Sequence, residues 1–264
     1  MQKLTALIIF LVIGFFAQFI DGTVGMGYGA FSASILIGIG IVPALASASI
    51  HTAEIFTTLI SGVSHWRFGN VKREWLLLLV IPGAVGGALG AYFLASLPGN
   101  VMKPFIAGFL LIMGVLILFR FARPKKETSN SRLSTALSNP KISKQRIGIL
   151  GFIAAFFDAV GGGGWGPIAT PGLILTENTE PRKVIGTVNM AEFFITIVIA
   201  ATFFITLGTE EYDWSMIGML LVGGVIAAPL AAYLCKKLPA RILGIIVGTA
   251  LILYNLRTLL VAIF

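Results

Sequence analysis

The stretch FAQFIDGTVGMGYG (residues 16–29) occurs a second time, in altered form, as IAAFFDAVGGGGWG (residues 153–166). An Asp precedes each glycine-rich run, at Asp21 and at Asp158. Two further segments repeat at a similar spacing: SIHTAE (49–54) returns as TVNMAE (187–192), and AYFLASLP (91–98) returns as AYLCKKLP (232–239). Two copies of a membrane unit in one polypeptide are typical of transporters that bind their substrate between the copies.

The composition indicates a membrane protein. Of the 264 residues, 57% are hydrophobic and 11% are charged, whereas soluble domains carry about 25% charged residues. The net charge of +8 does not indicate nucleic-acid binding, because the basic residues cluster at the ends of apolar runs, as in membrane proteins. The single cysteine, Cys235, excludes an internal disulfide and a cysteine-based metal cluster.

The pattern predicts an all-α polytopic membrane protein made of ten apolar elements. They lie near 4–21, 29–42, 43–66, 75–96, 101–120, 147–158, 166–176, 183–207, 214–235 and 241–262. A first membrane repeat is therefore expected over residues 1–120 and a second over 147–264, joined by a basic linker over 121–146. The first two elements of each half are short for a bilayer and flank a glycine-rich bend, so that each pair is expected to form a hairpin of short helices.

The basic residues predict how the two halves are oriented. If each short pair is a hairpin that returns to its starting side, each half has five elements and the second half is inverted. With the linker in the cytoplasm, 16 of the 19 Lys and Arg residues then lie on the inner side, as the positive-inside rule expects. This arrangement puts both termini outside the cytoplasmic membrane.

Each glycine-rich bend is expected to interrupt a membrane helix and to expose backbone N–H groups. The next helix begins just after the bend, and the positive end of its dipole attracts anions. Unpaired backbone is tolerated at membrane depth only where it is buried in protein or lines a cavity. An alternative role for the bends is close helix packing through small residues.

Four carboxylates lie in or beside apolar runs: Asp21, Glu54, Asp158 and Glu192. Charged groups at this depth are costly and mark functional sites by default. They are expected to carry coupling protons, although the two Asp residues could instead cap the glycine N–H groups.

A polar stripe runs along the third element, because spacings of three and four residues put its members on one helix face. Its members are Ser47, His51, Glu54, Thr58, Ser61 and His65. Asn189, Glu192 and Thr196 continue the pattern on the counterpart helix. Small-residue packing faces are predicted at Gly83, Gly86, Gly87, Gly90, Gly218, Gly223 and Gly224.

Together, GFFAQFIDGTVGMGYGAF and GFIAAFFDAVGGGGWGPIATPGLIL resemble the paired signature of the sulfite exporter TauE/SafE family of permeases. The resemblance covers nearly the whole chain apart from the linker. It implies a secondary carrier of sulfite, organosulfonates or similar small anions, but not which anion or which direction. No enzyme motif, cofactor or metal ligand is expected, and the oligomeric state stays open, with a homodimer as one option.

The resulting hypothesis is an inner-membrane anion transporter that is coupled to protons. The residues expected to bind substrate are Gly25, Gly27, Gly161, Gly162, Gly163, Gly164, Ser49, His51, Thr187 and Asn189. The alternative hypothesis is a cation or metal-ion carrier that uses the four carboxylates.

Overall fold

In a computed structural model of the chain, residues 2–122, 143–176, 180–234 and 240–263 are described. These residues form ten α-helices and no strand, which confirms the all-helical class. The helices are α1 Gln2–Val24, α2 Tyr28–Gly38, α3 Pro43–Arg67, α4 Arg73–Ala95, α5 Gly99–Ala122, α6 Lys144–Gly161, α7 Trp165–Thr176, α8 Pro181–Leu207, α9 Trp214–Leu234 and α10 Ala240–Ile263.

Six of these helices are long and apolar enough to cross a membrane: α1, α4, α5, α8, α9 and α10. The other long helix, α3, carries the polar stripe. The short helices α2 and α7 have 11 and 12 residues. The first helix of each pair is longer than predicted, with 23 residues in α1 and 18 in α6, because both continue through the Asp into the glycine run.

Most of the predicted linker, residues 123–142, lies outside the described residues. Its two ends are helical, since α5 continues to Ala122 and α6 begins at Lys144. These two helices therefore extend into the predicted linker range by two and three residues.

The helices of one half pack mainly against helices of the other half. The pairs are α1 with α9, α4 with α6, α5 with α10, α3 with α8, α4 with α8 and α3 with α9. The helices of the two halves correspond in order, so that α1 corresponds to α6 and α4 to α9. Under this correspondence the pair α1–α9 becomes the pair α4–α6, and the pairs α3–α8 and α5–α10 each become themselves. The contact pattern is thus the same from either half.

The contacts also give the directions of these helices. Ser61 contacts Asn189 and His51 contacts Phe203, so residue numbers rise along α3 as they fall along α8. These two helices are antiparallel. The helices α5 and α10 are antiparallel as well, since Gly114 meets Leu251 and Gly244 meets Phe121. In contrast, α1 runs parallel to α9, and α4 runs parallel to α6.

Glycines allow this close packing, as predicted for six of the seven positions. A Cβ on Gly86 would lie 2.2 Å from the Phe152 carbonyl oxygen, and one on Gly223 would lie 2.1 Å from the Leu11 carbonyl oxygen. A Cβ on Gly83, Gly87, Gly90 or Gly224 would lie 2.4–2.7 Å from its nearest neighbour, which is a backbone atom only at Gly90. The prediction was wrong for Gly218, because a Cβ there would meet no atom within 4 Å.

Candidate functional site

The polar stripe of α3 lies inside the protein. All six of its side chains are buried, with exposed fractions of 2% or less. Asn189, Glu192 and Thr196 on α8 are buried as well, with exposed fractions of 5% or less. The two stripes face each other, because the Ser61 hydroxyl donates a hydrogen bond of 2.7 Å to Oδ1 of Asn189. The crossing of α3 and α8 is therefore a polar seam between the halves.

His51 links this seam to the second glycine-rich bend. Its Nε2 lies 3.2 Å from Oδ2 of Asp158 and 3.9 Å from Oε2 of Glu54. On its other side, Nδ1 donates to the Ser47 carbonyl oxygen at 2.8 Å, so Nδ1 carries a hydrogen. A hydrogen bond between Nε2 and a carboxylate oxygen then needs one more proton, which is held by either His51 or Asp158.

Asp158 also caps the short helix that follows the bend. Its Oδ1 accepts the backbone N–H of Trp165, the first residue of α7, at 3.0 Å. Asp21 does the same for α2 by accepting the backbone N–H of Tyr28. The capping role considered for the two Asp residues is thus present in both halves. Each carboxylate keeps a second oxygen for another partner.

The second oxygens differ between the halves. Oδ2 of Asp158 meets His51, whereas Oδ2 of Asp21 is buried and has no hydrogen-bond partner among the described residues. The cause lies in the sequence, since the residue that corresponds to His51 is Asn189, and its amide is bonded to Ser61 and to the Ile185 carbonyl. The site is therefore asymmetric although the backbone is duplicated.

The two glycine-rich bends touch each other. A Cβ on Gly163 would lie 1.9 Å from the Ala30 backbone nitrogen, and one on Gly29 would lie 2.2 Å from the Gly162 carbonyl oxygen. Across the same contact, the Thr170 hydroxyl donates to the Gly25 carbonyl at 2.7 Å. Only glycine permits this approach, because any side chain would occupy the opposite backbone.

The bends also need glycine for their backbone conformation. Gly25, Gly27 and Gly162 have φ values of 75°, 125° and 68°, a region that side chains disfavour. Gly161, the last residue of α6, packs on the ring of Phe109, and Gly164, in the bend that follows, packs on the Asp158 backbone nitrogen. The predicted glycines are thus brought together, and each has a structural reason to be glycine.

All four carboxylates lie within Coulombic range of one another. Glu54 interacts with Asp21 and Asp158, and Glu192 interacts with all three others. One oxygen of Glu54, Oε2, is buried without a hydrogen-bond partner among the described residues. Over the same residues, no three His, Cys, Asp or Glu side chains form a group that could hold a metal ion.

Some predicted residues lie away from this cluster. The Thr187 hydroxyl accepts the backbone N–H of Lys72 at 2.8 Å, so Thr187 ties α8 to the loop before α4. Ser49 is buried at 1% exposure. His65 lies at the far end of α3, where it is buried beside Asn70.

The sequence reading missed two aromatic residues of the site. Trp165 donates its indole N–H to the Val188 carbonyl on α8 at 3.1 Å, and Tyr28 reaches the Leu220 carbonyl on α9 at 3.4 Å. Both are buried and both begin a short helix. The signal was present, since an aromatic residue follows the glycine run in both repeats.

Gln18 was also missed by the sequence analysis, and it has no polar counterpart in the second half. It is fully buried on α1, one turn before Asp21, and neither of its amide atoms has a hydrogen-bond partner in the described part of the chain. The equivalent position in the second half is Ala155. Gln18 therefore adds to the asymmetry between the halves.

Comparison with known proteins agrees with this architecture. The sequence profile of the family described as "Sulfite exporter TauE/SafE" matches residues 10–258. The chain is 48% identical over 257 residues to the probable membrane transporter protein YtnM of Bacillus subtilis (strain 168), covering 96% of this chain and 83% of that protein.

A second relative from the same organism, the probable membrane transporter protein YdhB, is 29% identical over 243 residues, which are 88% of this chain and 92% of that protein. No solved structure gives a significant match to the chain. The repeated bends, the buried seam and the profile match together identify the chain as a multi-pass membrane protein of the sulfite exporter TauE/SafE family.

Proposed function

We propose that the protein is a secondary transporter of small sulfur-containing anions, such as sulfite or an organosulfonate, across the cytoplasmic membrane, and that transport is coupled to protons. The observation that carries this proposal is the cluster of four buried carboxylates beside two amide-rich helix breaks. No catalytic function is proposed, because the family and the two relatives indicate transport.

The proton-coupling role falls to Asp21, Glu54, Asp158 and Glu192. The contact between His51 and Asp158 contains a proton that either residue can hold. Glu54 lies 3.9 Å from the same histidine nitrogen, which is beyond hydrogen-bond distance. His51 would therefore have to turn toward Glu54 to pass a proton between the two carboxylates. Like charges this close repel one another in a low-dielectric interior, so the four carboxylates influence one another electrostatically.

The anion-binding role falls to the bends and the neighbouring polar residues. Backbone N–H groups of Gly27, Gly163 and Gly164 would replace the water around the anion, together with His51 and Asn189. The N–H groups of Gly25 and Gly162 instead donate to the Asp21 and Asp158 carbonyl oxygens, and Gly161 lies within α6. The contact of Gly29 with Gly163 leaves no room for an anion at that point. We infer that this contact is the closed point of the pathway and that it separates when the anion passes.

Inverted halves are part of the proposal. The corresponding helices α3 and α8, and likewise α5 and α10, run antiparallel, as two inverted repeats require. The parallel and antiparallel pairs support a topology in which both termini lie on one side and the ends of the linker lie on the other. The proposed repeats are 1–120 and 147–264, with the linker in the cytoplasm and the termini outside.

This topology can be tested with single cysteines. In a Cys235→Ser background, Cys at residue 130 is expected to react with an impermeant maleimide only when the cytoplasmic side is open. Cys at residue 4 is expected to react in intact cells. The reverse pattern would overturn the orientation, and labelling of both from one side would overturn the inverted repeat.

A cation carrier is the second candidate, because Oδ2 of Asp21 and Oε2 of Glu54 are buried oxygens without a hydrogen-bond partner in the described residues. Uptake into proteoliposomes separates the two functions. Sulfite or a sulfonate is expected to accumulate when an imposed pH gradient supplies the driving force. Gradient-independent uptake of a metal ion, lost in Glu54→Gln, would favour the cation carrier and contradict the anion proposal.

A further inference from the structure

A cavity of about 540 Å³ lies between α5, α7 and the first glycine-rich bend. Its walls are apolar and include Leu116 and Ile117 of α5, Pro167 and Pro171 of α7, and Met26 of the bend. One charged residue, Arg120, completes the lining. The volume is within the range of small-molecule sites, about 300–1,000 Å³.

Arg120 is held at the edge of this cavity with an incomplete set of hydrogen bonds. Its Nη1 is shielded from solvent and has no hydrogen-bond partner among the described residues. The guanidinium lies 5.6 Å from the ring of Phe121. A shielded guanidinium N–H without an acceptor lowers the stability of the protein. A bound oxyanion would remove this penalty most effectively, because it can accept two parallel hydrogen bonds from one guanidinium.

The corresponding segment of the other half is packed differently, and the reason is local. The segment LILFR (116–120) is repeated as LILYN (251–255) in α10. There, Tyr254 packs against Gly38 of α2, and the Asn255 amide donates to the Ser34 hydroxyl at 2.8 Å. The polar residue of the second copy is therefore satisfied by the short helix, whereas Arg120 in the first copy is left with an open N–H.

The cavity ends near the proposed anion site. Met26 lies between Gly25 and Gly27, and its Cα is 2.6 Å from the position of a Cβ on Gly166. A ligand in the cavity would thus touch the bend that the proposed function uses. The other end lies at the last turn of α5, on the side where the linker begins.

We propose that this cavity binds a small organic anion, with its sulfonate-type head group on Arg120 and its apolar body against α5 and α7. The inference rests on the proposed function and narrows it, since it assigns the protein a preference for organic over inorganic oxyanions. Apolar walls gain free energy from a hydrocarbon body, and sulfite has none.

The test measures binding of 1-hexanesulfonate and of sulfite to the purified full-length protein by calorimetry. Arg120→Gln is expected to weaken hexanesulfonate binding at least about tenfold, the loss typical of a charge-assisted hydrogen bond. Ile174→Trp, which fills the cavity, is expected to weaken it as well. The control is Arg257→Gln, which removes an exposed arginine from α10 and should leave the affinity unchanged.

Thermal unfolding of each variant checks that it folds. Unchanged hexanesulfonate affinity in both Arg120→Gln and Ile174→Trp would overturn the proposal. So would co-purified phosphatidylglycerol that is released by Arg120→Gln while hexanesulfonate binding stays the same, because the cavity would then be a lipid site. Because binding is measured without a pH gradient, a positive result remains valid even if proton-coupled transport is not found. Conversely, normal transport would not support the cavity proposal if hexanesulfonate binding were unchanged in both variants.

Discussion

His51 of α3 and Asp158 of α6 are joined across the two halves of the protein, with 3.2 Å between Nε2 and Oδ2. Both side chains are buried, and no equivalent link joins Asn189 to Asp21 in the described residues, because Asn189 is bonded to Ser61. The duplicated backbone therefore carries one histidine–carboxylate pair rather than two. The strength of this contact depends on the protonation of the two side chains, and the contact joins the two halves at one place.

Replacing Asp158 separates its two roles. Asp158→Asn keeps an oxygen that can accept the Trp165 N–H but removes the charge that faces His51. We expect this variant to fold with nearly unchanged stability and to lose at least about 90% of transport. Asp158→Ala also loses the helix cap, which is worth about 1 kcal/mol, so its midpoint of thermal unfolding should be lower than that of Asp158→Asn.

Thermal unfolding in detergent and uptake into proteoliposomes give the two readouts. Asp21→Asn and Asp21→Ala are matched controls for the cap, since Asp21 accepts the Tyr28 N–H but has no histidine partner. Full transport by Asp158→Asn would contradict a role for the charge of Asp158.

Amides at Glu54 and Glu192 are expected to change the pH dependence of transport. Glu54→Gln and Glu192→Gln keep the shape of the side chain and remove its proton exchange. If these groups carry the coupling protons, transport by the variants should no longer rise and fall with an imposed pH gradient, while the fold is preserved. Initial rates of uptake between pH 5 and pH 8 measure this, and gradient-driven transport by the double variant at the wild-type rate at every pH would exclude the coupling role.

The contact between the glycine-rich bends predicts a sharp sensitivity to single methyl groups. A Cβ on Gly163 would overlap the Ala30 backbone, and backbone cannot move aside as a flexible side chain does. We expect Gly163→Ala and Gly29→Ala to lower the thermal midpoint by several degrees or to abolish expression.

Two other glycines serve as controls for that experiment. A Cβ on Gly108 or on Gly218 would meet no atom within 4 Å, so alanine there should be neutral or stabilising through helix propensity, by up to about 1 kcal/mol. Equal stability of all four variants would show that the bends are not in contact.

Tyr212 offers a test outside the membrane-spanning helices. It lies in the loop between α8 and α9, stacked on Phe204 and Trp214 with centroid distances of 5.0 and 5.5 Å. Its hydroxyl has no hydrogen-bond partner in the part of the chain that the structure describes. Tyr212→Phe keeps the stacking and removes a buried polar group, so its stability should equal or exceed that of the wild type, whereas Tyr212→Ala should cost about 3 kcal/mol.

The same residue predicts an alkaline limit of stability. Burial raises the pKa of Tyr212 from 10.0 to about 12, since the charged phenolate is disfavoured away from water. The contribution of this group to stability is therefore fully present below pH 10 and is lost as the pH rises through 12. An ultraviolet titration of the wild type minus Tyr212→Phe should give this pKa, and a difference titration centred at 10 would contradict the burial.

The sequence predicted the helices well because helix formation follows local rules. Hydrophobic runs, glycine-rich breaks and a stripe with spacings of three and four residues depend only on the geometry of one helix. All ten elements are present, and the stripe from Ser47 to His65 is buried as its pattern requires. The capping role of Asp21 and Asp158 followed from the same local reasoning.

The partners of these residues depended on how the helices cross, and no local rule gives that. His51 and Glu54 are three residues apart on one helix, yet His51 lies closer to Asp158, which is 107 residues away in the sequence. In the sequence, Arg120 is one of several basic residues at helix ends. Only the packing of α5 against α7 shows that it lines a cavity. The sequence alone determined that His51 corresponds to Asn189, and therefore that the two halves differ at this position. Only the tertiary structure decided the partners, because the helix crossings put His51 beside Asp158 and Asn189 beside Ser61.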